Sequence, residues 1–202
     1  RLLTHFGINT PLRSCHEHNE RELTDWVQAR LAAGQQLALI SDAGTPLISD
    51  PGFVLVRALR DAGLQVVTVP GPSSIIAALS IAGLPTDRFI FDGFLPAKTQ
   101  ARQTALSAYS REPRTVVLLE SSHRIDAAVR DIVEVLGESR RLVLARELTK
   151  RFETVIAGSA AEVLAILQSD PDQTRGEFVL MLAGVVVEGA DDADVSRMLD
   201  LM

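Results

Sequence analysis

The chain has 202 residues, 47% of them hydrophobic and 23% charged, with a formal net charge of −6. That length builds one large domain or two small ones, each with its own core. No apolar run approaches the roughly 18 residues of a membrane span, no signal peptide opens the sequence, and a single cysteine, Cys15, excludes an internal disulfide framework and fits a reducing cytoplasm.

The negative balance argues against a general nucleic-acid coat, but the charge is uneven. Residues 97–151 carry an excess of Lys and Arg, whereas 170–202 is acidic. A local basic face on an acidic protein is compatible with that pattern.

Residues 1–6 read as the tail of a helix closed by Gly7, and residues 195–202 stop inside a helical pattern, so both ends read as cuts. Residues 12–15 read as a short strand. Asn19 with Glu22 three positions on resembles a capping box, and Leu23, Trp26, Val27, Arg30 and Leu31 keep helical spacing up to Gly34. His16, Glu17 and His18 flank that start; with no matching cluster elsewhere, they read as exposed loop residues rather than metal ligands.

Residues 37–41 read as a strand that ends abruptly in Ser41-Asp42-Ala43-Gly44-Thr45-Pro46-Leu47-Ile48-Ser49-Asp50-Pro51-Gly52. The helical pattern of residues 53–62 follows. A loop of about ten residues is longer than the roughly 2–6 usual between a strand and a helix, and its prolines, glycines and aspartates mark it as a binding loop. Residues 65–69 read as a buried strand that runs into Pro70-Gly71-Pro72-Ser73-Ser74 and a helix over 75–82. If those strands are parallel neighbours, both loops lie on one rim, where glycines let backbone approach a ligand.

Leu84-Pro85-Thr86 is a break, and the boundary is placed near 86–88, giving domains 1–86 and 87–202. Beyond it come Phe89-Ile90-Phe91 and Gly93-Phe94-Leu95-Pro96, then a helix over 98–109 and a strand over 115–119 ending in Glu120-Ser121-Ser122-His123-Arg124. A helix over 125–136, a strand over 141–145, a charged loop over 146–154, a helix over 160–167 and a strand over 177–182 complete the pattern. Alternation of this kind is α/β throughout. No phosphate-loop or dinucleotide fingerprint is present.

Five motifs in this order, Ser41–Gly52, Val69–Ser74, Gly93–Pro96, Glu120–Arg124 and Ala145–Lys150, closely resemble the ribosomal branch of the tetrapyrrole methylase superfamily, the 16S rRNA cytidine-2′-O-methyltransferases. The resemblance spans about residues 1–185. It implies a two-domain α/β fold with S-adenosylmethionine in the interdomain cleft, a homodimer, and no metal or membrane. The substrate would be 16S rRNA in the small ribosomal subunit, in the cytoplasm. It also implies that the family's first βα unit precedes Arg1, so that part of the cofactor pocket lies outside this sequence.

Carried over by position, the resemblance assigns cofactor binding to Asp42, Ala43, Gly44, Thr45, Ile48, Ser74, Ile75, Glu120, Ser121 and Leu148. Candidates for a general base are Glu120, Glu147 and Lys150, with His123 beside them. RNA contact falls to His123, Arg124, Arg146, Lys150 and Arg151, because an acidic protein needs a local basic face to hold phosphates. A small-molecule methylase of the same superfamily and a non-catalytic nucleoside-binding module are the alternatives. Asp-Ala-Gly-Thr-Pro in place of Gly-Gly-Asp-Pro speaks against the first.

Overall fold

A computed structural model describes residues 2–16 and 18–185. Glu17 and the helical pattern expected over 195–202 lie outside the described residues. The chain divides into two compact units, Arg1–Pro72 and Ser73–Met202.

The first unit holds α1 (Leu2–His5), α2 (Glu20–Ala32) and α3 (Phe53–Asp61). Leu23 and Val27 of α2 pack on Leu55 and Leu59 of α3, with Cys15, Trp26, Leu31, Leu64 and Val66 around them. The 3–4 spacing of these residues puts one apolar stripe on each helix. The strands expected at 12–15, 37–41 and 65–69 make no ladder. Leu12, Ile40, Val67 and Val69 stand exposed. β propensity extends a segment, but only a partner for its N–H and C=O groups makes it a strand, and these three segments do not pair with one another.

The second unit begins with α4 (Ser74–Ile81), then alternates β1 (Phe89–Phe94), α5 (Thr99–Ser107), β2 (Thr115–Ser121), α6 (Ile125–Leu136) and β3 (Arg141–Arg146). It closes with β4 (Thr154–Ser159), α7 (Ala160–Ser169), a 3-10 turn (Pro171–Thr174) and β5 (Glu177–Leu182). The sheet order is β1-β2-β5-β3-β4. Only β1 and β2 run parallel, linked by α5; the β2–β5, β5–β3 and β3–β4 pairs are antiparallel.

Strand alternation sends successive side chains to opposite faces, and the two cores follow it. Val116, Leu118, Leu142, Leu144, Phe178, Leu180 and Leu182 pack under the helices with Leu106, Ile125, Val129, Ile132, Val163 and Leu167. Val117, Val143, Ala145, Val179 and Met181 pack on the other face with Ile75, Ala78 and Leu79 of α4 and with Ala82 at its C-cap. The boundary expected near 86–88 puts α4 in the first domain, whereas its apolar face packs on the sheet of the second unit. Burying those four side chains beside five sheet residues is what fixes the start of the Ser74 helix against the sheet.

Candidate functional site

In the first unit, the loop over 41–52 is held by its own small groups. Ser41 Oγ donates to the Ala43 carbonyl at 2.7 Å and accepts from the Ala43 N–H at 3.3 Å. Thr45 Oγ1 donates to the Pro72 carbonyl at 2.8 Å, tying this loop to the Pro-Gly-Pro loop. Leu47 and Ser49 have φ of 72° and 55°, a left-handed conformation that is costly for non-glycine residues and concentrates at functional loops. Asp42, Ala43, Gly44, Thr45 and Ile48 are all exposed along it. At Gly44, with φ +73°, nothing lies within 4 Å of where a Cβ would stand, so its backbone is open to close approach.

The end of this loop is anchored by a residue that the sequence did not single out. Glu20, buried on α2, accepts from the Gly52 N–H at 2.9 Å and from the Val54 N–H at 3.0 Å. It thereby satisfies the N–H of the Gly52 N-cap and one of the free N–H groups in the first turn of α3, a helix with no side-chain cap of its own. The expected capping box at Asn19 is not formed: its amide accepts from the His16 N–H and donates to the Ser14 carbonyl, pointing back along the chain.

In the second unit, Ser73 caps α4 by accepting from the Ile76 N–H. Ser74 is exposed at the helix start. Ile75 is buried in the core between α4 and the sheet, and Leu148, Leu119 and Phe91 pack against that same core. Ile75 and Leu148 therefore share one face of the sheet, Ser74 precedes Ile75 at the helix start, and Ser121, two residues after Leu119, falls on that face by alternation.

Glu120 does not join them. It pairs with Phe178, on the face that packs against α5–α7. Its side chain is wholly buried. One oxygen accepts from the Ser121 N–H at 2.8 Å and from Arg124 Nε at 2.8 Å, while the other has no partner. Arg124 also donates through Nη1 to the Leu95 carbonyl at 3.1 Å and lies over the Phe94 ring. The Gly93–Pro96 and Glu120–Arg124 motifs are thus joined by one guanidinium. Arg124 is committed to that joint, and His123 alone of the pair is exposed.

The β3–β4 loop, residues 147–153, is also clamped from within. Arg146 is buried, with Nε on the Arg175 carbonyl at 2.7 Å and Nη1 on the Phe152 carbonyl and Thr154 Oγ1. This guanidinium is turned inward: Nε and Nη1 tie the end of β3 to the segment entering β5 and to the start of β4, so neither of those two nitrogens is free for a phosphate. Glu147 has φ 49° and Thr149 φ 64°. Glu147 Oε1 accepts from Lys150 Nζ at 2.9 Å and from the Glu177 N–H at 2.9 Å, and Lys150 also reaches Glu177 Oε2 at 3.0 Å. The Lys150 ammonium, then the Glu177 N–H, holds the Glu147 carboxyl below the usual carboxylate range. Glu147, outweighing partial burial, pushes Lys150 up. Both are charged at neutral pH, and neither is poised near 7 as a general base needs.

No group of three His, Cys, Asp or Glu side chains that could hold a metal occurs among the described residues. None of the described helices is long and apolar enough to cross a membrane.

The sequence matches the family model described as Tetrapyrrole (Corrin/Porphyrin) Methylases over residues 2–164. It is 53% identical to ribosomal RNA small subunit methyltransferase I of Pseudomonas aeruginosa, covering 100% of this chain and 73% of that one. The protein of the same name from Escherichia coli O157:H7 is 51% identical, with coverages of 100% and 71%. That from Xylella fastidiosa is 50% identical, with 99% and 71%. Among solved structures, the methyltransferase CobJ aligns with a TM-score of 0.61 at 16% identity, covering 91% of this chain and 77% of its own. Diphthine synthase aligns at 0.60 and 14%, covering 90% and 72%. At such identities the structural matches carry the fold alone, whereas the family match and the relatives matched over nearly all of this chain carry descent: the chain belongs to the tetrapyrrole methylase family.

Proposed function

We propose that this chain is an S-adenosylmethionine-dependent methyltransferase that modifies the 2′-hydroxyl of a decoding-centre cytidine in 16S rRNA. It acts in the cytoplasm on the small ribosomal subunit, as a homodimer. The observation that carries this reading is the identity of 50–53% to three ribosomal RNA small subunit methyltransferases I over at least 99% of the chain.

When bound, S-adenosylmethionine supplies a methyl group on a positively charged sulfur, which a ribose hydroxyl accepts without a Lewis acid. The loop over 41–52 fits such a ligand: it offers backbone at Gly44, small hydroxyls and the exposed apolar side chain of Ile48, with no cation to oppose the sulfonium. The residues assigned to it are Asp42, Ala43, Gly44, Thr45, Ile48, Ser74, Ile75, Ser121 and Leu148. Positioning the hydroxyl supplies most of the rate in this view, since fixing two reactants can offset roughly 7–11 kcal/mol of barrier. Lys150, Arg151 and His123 contact phosphate or ribose. Glu120, buried and paired with Arg124, fixes the end of β2 beneath Ser121 rather than moving a proton.

The test is methyl transfer from labelled S-adenosylmethionine to small ribosomal subunits that lack their native methylation. Label in one ribose-methylated cytidine is expected. A protein that holds the methyl donor yet leaves the RNA unlabelled would overturn the proposal in favour of a small-molecule acceptor.

A further inference from the structure

The β3–β4 loop and the segment entering β5 frame an open surface cavity of about 310 Å³, lined by Arg146, Glu147, Phe152, Asp172, Arg175 and Gly176. Arg146 forms part of its wall. Nε and Nη1 are taken by the Arg175 and Phe152 carbonyls and by Thr154, and Nη2 has no partner among the described residues. Nη2 is therefore the one guanidinium nitrogen left open to solvent or to a ligand. Glu147 is similarly half-used: Oε1 takes both of its donors and Oε2 takes none.

The rim adds a flat apolar surface and mobile charges. Phe152 is 60% exposed, with the Arg151 guanidinium 5.4 Å from its ring. Asp172 and Arg175 pair with each other at 2.8 Å, but their side chains are 69% and 77% exposed, so water screens the pair and both can turn to a ligand. The cavity therefore presents a ring face, a fixed donor and a fixed acceptor. Its volume is at the small end of ligand pockets, which start at about 300 Å³. A nucleobase has that chemistry: a π-face for stacking, with donors and acceptors on its edge.

We propose that this cavity receives one unstacked base of the RNA substrate, a neighbour of the nucleotide that is methylated. This rests on the reading of the chain as an RNA methyltransferase. The base is a neighbour rather than the target because Arg146 pairs with Phe178 and so issues from the α5–α7 face of the sheet, whereas Ile75 and Leu148 lie on the α4 face. Phe152 stacks on the base, Arg146 Nη2 donates to an acceptor on its edge, and Glu147 Oε2 accepts from a donor there.

Two measurements on the intact protein test this, with Phe152→Ala and Phe152→Trp compared to the parent. Methylation kinetics on unmethylated small subunits should give a KM raised roughly tenfold for Phe152→Ala, as expected for one lost base–aromatic stack, and more than kcat falls. Phe152→Trp should return KM to near the parent value. Equilibrium binding of a fluorescein-labelled 12-nucleotide single-stranded RNA should weaken by a similar factor in Phe152→Ala. The dependence of log K on log salt should be unchanged, since no phosphate contact is lost. S-adenosylmethionine affinity reports an intact fold.

Methylation by the parent with no change in KM or RNA affinity in Phe152→Ala would overturn the cavity assignment and leave the methyltransferase reading standing. RNA binding that depends on Phe152 without methylation of subunits would do the reverse. An altered salt slope in Phe152→Ala, or a Phe152→Trp variant as weak as Phe152→Ala, would also overturn it, pointing to phosphate contact or to packing.

Discussion

Glu20 and Gly52 are 32 residues apart in the sequence, yet the Glu20 carboxylate accepts the Gly52 N–H at 2.9 Å and the Val54 N–H at 3.0 Å. A carboxylate at a helix N-terminus satisfies free donors and meets the positive end of the helix dipole. Gly52 has φ +127°, and a Cβ there would stand 3.0 Å from the Leu39 and Leu47 side chains. One side chain on α2 thus fixes both the start of α3 and the end of the loop over 41–52.

Replacing Glu20 should loosen that loop before it unfolds the unit. Glu20→Ala leaves two buried or half-buried N–H groups without an acceptor, at a cost of about 1–3 kcal/mol, read as a lower denaturant midpoint. Glu20→Gln keeps one acceptor oxygen and should lose less. S-adenosylmethionine affinity, measured by calorimetry, should fall in the same order. Unchanged affinity in a folded Glu20→Ala protein would separate Glu20 from the binding loop.

Arg124 and Glu120 form a pair in which the carboxylate is wholly buried and the guanidinium mostly so. Removing Arg124 leaves the acid without its counter-ion, and Arg124→Ala should cost roughly 3–5 kcal/mol. Glu120→Gln should cost less, and the double variant should be less damaged than the two single effects added together. A double-mutant cycle in urea measures this, and strict additivity would show that the pair is not coupled.

Much of the second unit was legible because its patterns are local. The helix over 125–136 and the strand over 177–182 were expected within the bounds observed for α6 and β5, since four-residue and two-residue periodicities are carried inside each segment. β4 reads in the sequence as part of a loop and an inter-element stretch. As an edge strand paired only to β3, it turns Val155 and Ala157 outward and has Gly158 in its interior, so its apolar pattern is weak. The extended segments of the first unit show the opposite limit: propensity marked them, but pairing is a tertiary property. In the site, the motif loops were readable from Gly, Pro and small hydroxyls. Glu20, Phe152 and Gly176 were not, because what gives each its role is a partner from a distant part of the chain or a cavity wall.

Gly176 is such a case. It has φ +109°, and a Cβ there would fall 2.5 Å from Glu147 Cγ. Gly176→Ala therefore adds both a strained conformation and a clash, and should cost about 1–3 kcal/mol. Limited proteolysis should then cut within residues 147–153. Trimming the obstacle with Glu147→Ala in the same chain should recover part of the loss, leaving the backbone strain. If the double variant is no better than Gly176→Ala alone, the contact with Glu147 is not the source of the damage.

The same glutamate gives the loop a pH response whose sign is fixed. The Glu147 carboxyl is held below its ordinary value of 4.5, first by Lys150 and then by the Glu177 N–H. Its contribution is therefore complete above about pH 4.5 and is lost as pH falls through the lower folded value. Lys150 is raised above its ordinary 10.5, mainly by Glu147, so its contribution is complete below that pH and is lost as pH rises beyond it. The pair is intact across the neutral range and fails at both ends. Amide hydrogen exchange of residues 147–153 should accelerate, beyond the intrinsic pH dependence, below about pH 4.5 in the parent protein. Glu147→Gln should show the loosened rates already at neutral pH and a flatter acid limb. An acid limb as steep in Glu147→Gln as in the parent would assign the transition to other carboxylates that are held low, Asp170 and Glu162 among them.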